Sequence, residues 1–198
     1  MDLYRSKSAI VGRLQPVVAW LSGRGISPDA VTLAAIPVGA VAGLCLLVSP
    51  AAPLALVAVP FLAALRLVLN LLDGALARET GRIHPRGEFY NEVGDRLADG
   101  LFLAPVAFLP GVNAAVVLLG VCLSLVASHA GLASRAAGGE RIYRGILSKP
   151  GRMVLLSLAA VAALAVGREA WDVFAALLLA GAILTLGERL VIAVRSLA

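Results

Sequence analysis

Six apolar stretches, at 31–48, 53–72, 91–109, 112–133, 153–166 and 174–194, constrain this sequence more than any other feature. A helix needs about 20 largely apolar residues to cross a bilayer, and within hydrocarbon the backbone must satisfy its own hydrogen bonds. Runs of this length predict helices rather than barrel strands, although the fifth is short. Apolar residues make up 60% of the chain, against roughly 45–50% in a soluble domain, and the mean hydropathy is +0.93. The expected fold is all-α: an integral membrane six-transmembrane-helix bundle over residues 28–198, preceded by an interfacial amphipathic helix over residues 1–27.

That first segment has neither the sustained apolar core nor the small-residue cleavage site of a signal peptide. On a helix, Leu3, Ile10, Val11, Leu14, Val17, Val18 and Leu21 share one face, while Arg5, Lys7 and Arg13 extend toward headgroups. Trp20 and Trp171 are expected as interfacial anchors. Cys45 and Cys122 sit in different spans without ligand-like spacing, which argues against a disulfide or a zinc site. Frequent Gly and Ala in the spans suit close helix packing or a dimer face.

With a cytoplasmic N-terminus, six spans put the segments around 79–90 and 135–152, and the C-terminus, on the cytoplasmic side. Arg78, Arg82, Arg86, Arg135, Arg141, Arg144, Lys149, Arg152 and Arg195 then lie inside with the basic residues of the first segment, and Arg168 lies outside. This is the positive-inside asymmetry. The net charge of +5 is thus expected to face anionic lipid or phosphate-bearing substrates rather than nucleic acid.

Against this oily background, "NLLDGALARETGRIHPRGEFYNEVGD" at 70–95 is crowded with acids, carboxamides and arginines. Residues three and four apart share a helix face. Arg66, Asn70, Asp73 and Ala77 do so in the second span; Asn91, Asp95 and Asp99 do so in the third, flanked by Glu88 and Glu92. The loop between them is short, so the helices run antiparallel and the two stripes can meet near the cytoplasmic boundary. Two readings are open. Oxygen ligands from facing helices suit a hard cation, Mg²⁺ or Mn²⁺, whereas acids and arginines can also form an ion-paired interface without chemistry. For the deepest pair the second is favoured. Arg66 lies about 18 Å along its helix from Arg78 and Asp99 about 16 Å from Glu88, so they should meet as a buried salt bridge.

The run D-G-x-x-A-R (Asp73, Gly74, Ala77, Arg78), eight residues, then G-x-x-x-N-x-x-x-D (Gly87, Asn91, Asp95) resembles the signature of the CDP-alcohol phosphatidyltransferase family, membrane enzymes with six helices. The usual pattern has four aspartates; here Asn70 and Asn91 stand at the first and third positions. Asn before D-G-x-x-A-R and an Asn-Glu pair before the last aspartate resemble a bacterial subgroup of that family. "GISPDAVTL", with Pro28 and Thr32, is similar to the segment opening the family's first span, and "YRGILSKPGRM" to its basic loop before the fifth.

The resemblance implies a metal-dependent phosphotransferase of phospholipid biosynthesis at the inner membrane, with its active site facing the cytoplasm. An acceptor hydroxyl attacks the β-phosphorus of CDP-diacylglycerol or a similar CDP-alcohol and displaces CMP. The acceptor is a small or phosphorylated alcohol, and a homodimer is expected. The implied metal ligands are Asn70, Asp73, Asn91 and Asp95, with Glu92 and Asp99 as possible compensating acids. Asp95 is the implied general base; Gly74, Ala77, Arg78, Thr32, Lys149 and Arg152 are the implied substrate contacts. Because each asparagine removes a charge, the alternative is a protein of the same fold that binds nucleotide or lipid without turnover.

Overall fold

The structure, a computed structural model, describes the backbone of residues 3–197 and the side chains of residues 12–197. Those residues form seven α-helices and two short 3-10 turns, with no strand. The helices are α1 (Leu3–Gly23), α2 (Pro28–Val48), α3 (Ala58–Glu79), α4 (Pro85–Leu103), α5 (Ala114–Ala136), α6 (Lys149–Val166) and α7 (Glu169–Leu197). The turns, Pro53–Val57 and Ala104–Phe108, precede α3 and follow α4.

Local sequence explains where the helices start. Ser27 accepts a hydrogen bond from the Ala30 amide at 3.1 Å and Pro28 occupies the first turn of α2, the expected pairing of cap and proline. His84 caps α4 through Nδ1, which accepts from the Gly87 amide at 2.9 Å, with Pro85 next. Asn113 does the same for α5. Gly81, with φ of 64°, lets the chain turn out of α3 toward α4, a conformation costly for any residue with a Cβ.

Among the described residues five helical segments are long and apolar enough to cross a membrane: Pro28–Val48, Pro53–Glu79, Ala114–Ala136, Lys149–Val166 and Glu169–Leu197. The exception among the expected spans is α4, which carries Arg86, Glu88, Glu92, Asp95, Arg96 and Asp99 within 19 residues. Its pattern is nevertheless that of a helix with one wet face turned inward. Glu92, Asp95 and Asp99 are buried, whereas Phe89, Val93 and Leu97, four residues apart, are exposed. Phe61, Phe108, Leu158 and Val194 are exposed too, and apolar surface on this scale is the mark of a lipid-facing protein.

Two helix layers meet around α3. On one side α2 packs along both α3 and α4; on the other α6 joins α3 to α7, and α5 packs against α7. The main core runs from Ala42 and Leu46 through Phe102, Leu103 and Val106 to Leu156, Phe174 and Leu178. Trp171 belongs to it: it is 5% exposed and meets Phe174 edge to face at 6.2 Å. Its expected role as an interfacial anchor is therefore corrected, because α7 begins before the span expected from the sequence and carries Trp171 inward. Trp20 is exposed, with Arg24 stacked 3.9 Å from its ring.

From α1, Val18 is buried in a second apolar cluster with Leu72, Ala75 and Leu76 of α3, and Leu14 and Leu21 pack against it. Val17 is exposed instead. The expected placements of the Leu3, Arg5, Lys7, Ile10 and Val11 side chains fall outside the described residues.

The segment between α5 and α6 is folded back onto the bundle. Ile142 donates from its amide to the Gly131 carbonyl at 3.3 Å, and a Cβ on Gly131 would overlap the Ile142 carbonyl oxygen. Gly131→Ala is accordingly expected to cost about 1–3 kcal/mol, the usual penalty of overpacking. A lower thermal midpoint in detergent, with faster proteolysis between 137 and 148, would be the readout; an unchanged midpoint would show that the segment is not held there.

Candidate active site

The two stripes expected from the sequence converge on a narrow crevice lined by α2, α3 and α4, with Lys149 at the start of α6 bonded to its edge. Its polar lining is Thr32, Asn70, Asp73 and Asp95, and its apolar wall is Val31, Ala35 and Leu69. Asp73 is held on three sides. Thr32 Oγ1 donates to Asp73 Oδ2 at 2.9 Å, Asn91 Nδ2 donates to the same oxygen at 3.2 Å, and the Gly74 amide donates to Oδ1 at 2.5 Å. Each bond comes from a different place in the chain, so the carboxylate orientation depends on α2, α3 and α4 together.

Asp95 has a different partner. Lys149, at the start of α6, donates from Nζ to Asp95 Oδ2 and also to Asn70 Oδ1, the latter at 3.0 Å. Arg66 approaches from below, its Nη2 donating to the Asp95 carbonyl oxygen at 3.1 Å and lying 3.9 Å from Oδ1.

One turn deeper, Arg66 and Asp99 form the expected salt bridge at 2.6 Å, and both are 1% exposed. The second oxygen of Asp99 accepts from Arg152 Nη2, also at 2.6 Å. Arg152, expected on a substrate phosphate, is thus 1% exposed and committed to Asp99 and to the Leu147 carbonyl. Asp99, expected as a spare acid for a metal, neutralises two guanidinium groups. Glu92 is likewise taken, by Arg96 at 2.6 Å and by Arg141. Arg141 and Arg135 both reach Glu88 as well, at 3.2 and 2.8 Å. These pairs tie the end of α5 and the segment after it to the first half of α4.

Of the remaining residues expected to touch substrate, Gly74 and Ala77 line α3 beside Asp73. Arg78 is exposed and folds back over Gly74, its Nη1 3.5 Å from where a Cβ there would lie. A residue not anticipated is Arg189 of α7, which donates to the carbonyls of Ala127, Arg144 and Tyr143 at 2.7, 2.8 and 3.1 Å. Thr185 adds a bond from the Leu147 amide at 2.9 Å. Together they secure the segment that delivers Lys149. The available signal was the arginine itself, an ionisable group inside a span.

Two carboxylates and two carboxamides supply the hard-oxygen chemistry that suits one divalent cation, although here Asn70 Oδ1 accepts from Lys149 and Asn91 turns its Nδ2 toward Asp73. Among the described residues no group of three or more His, Cys, Asp or Glu is arranged to hold a metal. Carboxamides take two of the four motif positions, and Asp99 and Glu92 are engaged with arginines.

No protein-family model matches the chain. It is 34% identical over 155 residues to the archaetidylinositol phosphate synthase of Aeropyrum pernix, spanning 77% of this chain and 76% of that protein. It is 32% identical over 158 residues to the inner membrane protein YnbA of Escherichia coli, spanning 80% and 78%. Its fold matches the Mycobacterium tuberculosis phosphatidylinositol phosphate synthase solved with CDP-DAG bound, at a TM-score of 0.76 and 22% identity, over 90% of this chain and 92% of that one. The same enzyme in complex with manganese and citrate matches at 0.77, also at 22% identity, over 91% and 88%. With a synthase relative at this identity covering three quarters of both chains, the protein belongs to the CDP-alcohol phosphatidyltransferase family, the membrane transferases of phospholipid synthesis.

Proposed function

We propose that the cleft lined by α2, α3 and α4, with α6 at its edge, takes the diphosphate of a CDP-alcohol, CDP-diacylglycerol or a near relative, and transfers its lipid-bearing phosphoryl group to an acceptor alcohol. The observation that carries this reading is the convergence of Asn70, Asp73, Asn91, Asp95 and Lys149 in one cleft. Asn70, Asp73, Asn91 and Asp95 would hold Mg²⁺ or Mn²⁺. When bound, such an ion polarises phosphoryl oxygens and stabilises the leaving phosphate.

The chain's own residues have separable tasks. Asp95 accepts the proton of the attacking hydroxyl as its oxygen bonds to the β-phosphorus; the bond from that phosphorus to the CMP oxygen breaks, and CMP departs. Thr32 and the Gly74 amide keep Asp73 aimed into the cleft. Gly74 and Ala77 let the nucleotide lie close to α3. Arg78, exposed at the rim, offers a bidentate phosphate contact. Lys149 brings positive charge toward a substrate phosphate from α6.

The same reading makes α4 a sixth span, supported by its inward acids and outward Phe89, Val93 and Leu97, with α1 lying along the interface. Residues 1–27 and 28–198 are then the two functional segments. Both termini and the cleft face the cytoplasm, a placement supported by the arginines at that end of the bundle. The membrane is the inner membrane, as the name of the YnbA relative suggests, and a second copy of the chain completes a homodimer. The acceptor is a small alcohol or its phosphate; four relatives are named as archaetidylinositol or phosphatidylinositol phosphate synthases.

The test is CMP release by the purified chain in detergent from CDP-diacylglycerol with pooled acceptor alcohols and alcohol phosphates. Acceptor-dependent CMP that appears with Mg²⁺ or Mn²⁺ and drops to background with EDTA is expected. If EDTA leaves the rate unchanged, the metal assignment fails; if no donor yields CMP, the transferase reading of this cleft fails.

A further inference from the structure

A cation already sits where the motif's first and last positions meet. Lys149 Nζ bridges Asn70 Oδ1 and Asp95 Oδ2, and its side chain is 19% exposed. On the opposite side, the Asn91 amide group, rather than a second carboxylate, faces Asp73. Each asparagine therefore has a partner suited to a carboxamide: a carbonyl for the ammonium at 70, an N–H for the carboxylate at 91. Aspartate at 91 would set two like charges together across that 3.2 Å contact, a repulsion that a partly buried site does little to screen.

The charge balance agrees. Asp95 and Asp99 pair with Arg66, Lys149 and Arg152, and Asp73, held by Thr32, Asn91 and the Gly74 amide, adds a third acid beside them, so these six groups together are formally neutral. One divalent cation leaves it with the charge that a dianionic diphosphate cancels. A second would leave twice that charge in a cleft bounded by apolar walls, where uncompensated charge is costly.

We propose that Lys149 is a built-in counter-cation standing in for one metal, so that this chain takes a single divalent ion per cleft and takes it together with the donor diphosphate. The inference rests on the reading of the cleft as a CDP-alcohol site. It assigns to Lys149 a charge role at the motif itself, and it makes Asn70 and Asn91 parts of a working one-ion site rather than lesions.

The test counts metal without reference to turnover. The full chain in detergent, loaded with Mn²⁺ and CDP-diacylglycerol and freed of excess, is analysed for Mn per chain by mass spectrometry and for a spin-coupled Mn pair by electron paramagnetic resonance. One Mn²⁺ per chain and no coupled pair is expected; two, or none, overturns the proposal. Mn²⁺ titration of Lys149→Met should show at least about ten-fold tighter binding or a second ion, the scale of removing one like charge beside the site. Lys149→Arg should keep the count at one. Equal Mn²⁺ binding in the unmodified chain and Lys149→Met also overturns it, and if Lys149→Met does not fold, the count on the unmodified chain decides alone. CMP release in the same preparation judges the transferase reading separately: release with two Mn²⁺ sinks only the counter-cation, whereas one Mn²⁺ without release from any donor sinks only the function.

Discussion

Asp99→Asn is expected to destabilise the protein by about 3–5 kcal/mol, the cost of breaking a buried ion pair from one side. Asp99 is the shared anion of Arg66 and Arg152, each at 2.6 Å and each 1% exposed. Among the described residues Arg66 Nε and Nη1 and Arg152 Nε are buried with no hydrogen-bond partner. An asparagine can accept from one guanidinium but turns an N–H toward the other, leaving Arg152 without an anion and Arg66 with only its 3.9 Å contact to Asp95. The thermal midpoint in detergent should fall sharply, and adding Arg66→Met should recover part of the loss because it removes one stranded charge. A loss below about 1 kcal/mol, the range of an exposed pair, would mean that the floor of the cleft is hydrated.

Asp95→Asn should act on chemistry instead. The substitution keeps the shape and a carbonyl oxygen for Lys149, and Asp95 is not the sole anion of any fully buried base, so the fold should persist with a midpoint close to that of the parent. CMP release should fall by about 100- to 10,000-fold, the usual contribution of a general base. Activity within a few-fold of the parent would remove Asp95 from the proton-accepting role, and a collapse of the thermal midpoint would reassign it to structure. The contrast between the two aspartates, one turn apart on α4, separates support from catalysis along a single helix face.

Much of the site was legible because its information is periodic. The spacing of Asn70 and Asp73 on one helix and Asn91, Asp95 and Asp99 on the next required only the geometry of the α-helix and a short connection. The Arg66–Asp99 bridge followed from equal depth along antiparallel helices. Arg152 was harder. It lies in a basic segment that reads as substrate-facing, and nothing local reveals that α6 turns it toward Asp99. Arg141 and Glu92 pose the same problem, since their pairing depends on how the segment after α5 folds back.

By itself the sequence determined the helical character, the apolar spans and the two polar stripes, because these depend on residue type and on a repeat of three to four residues. Beyond the Arg66–Asp99 pair, tertiary structure alone decided which charges cancel. It placed Lys149 between Asn70 and Asp95, closed Asp99 between two arginines and used Arg189 to hold the segment leading to α6. The physical reason is range. Helix periodicity acts over one or two turns, whereas these contacts join residues separated by 53 to 79 positions and exist only once the bundle has brought their helices together.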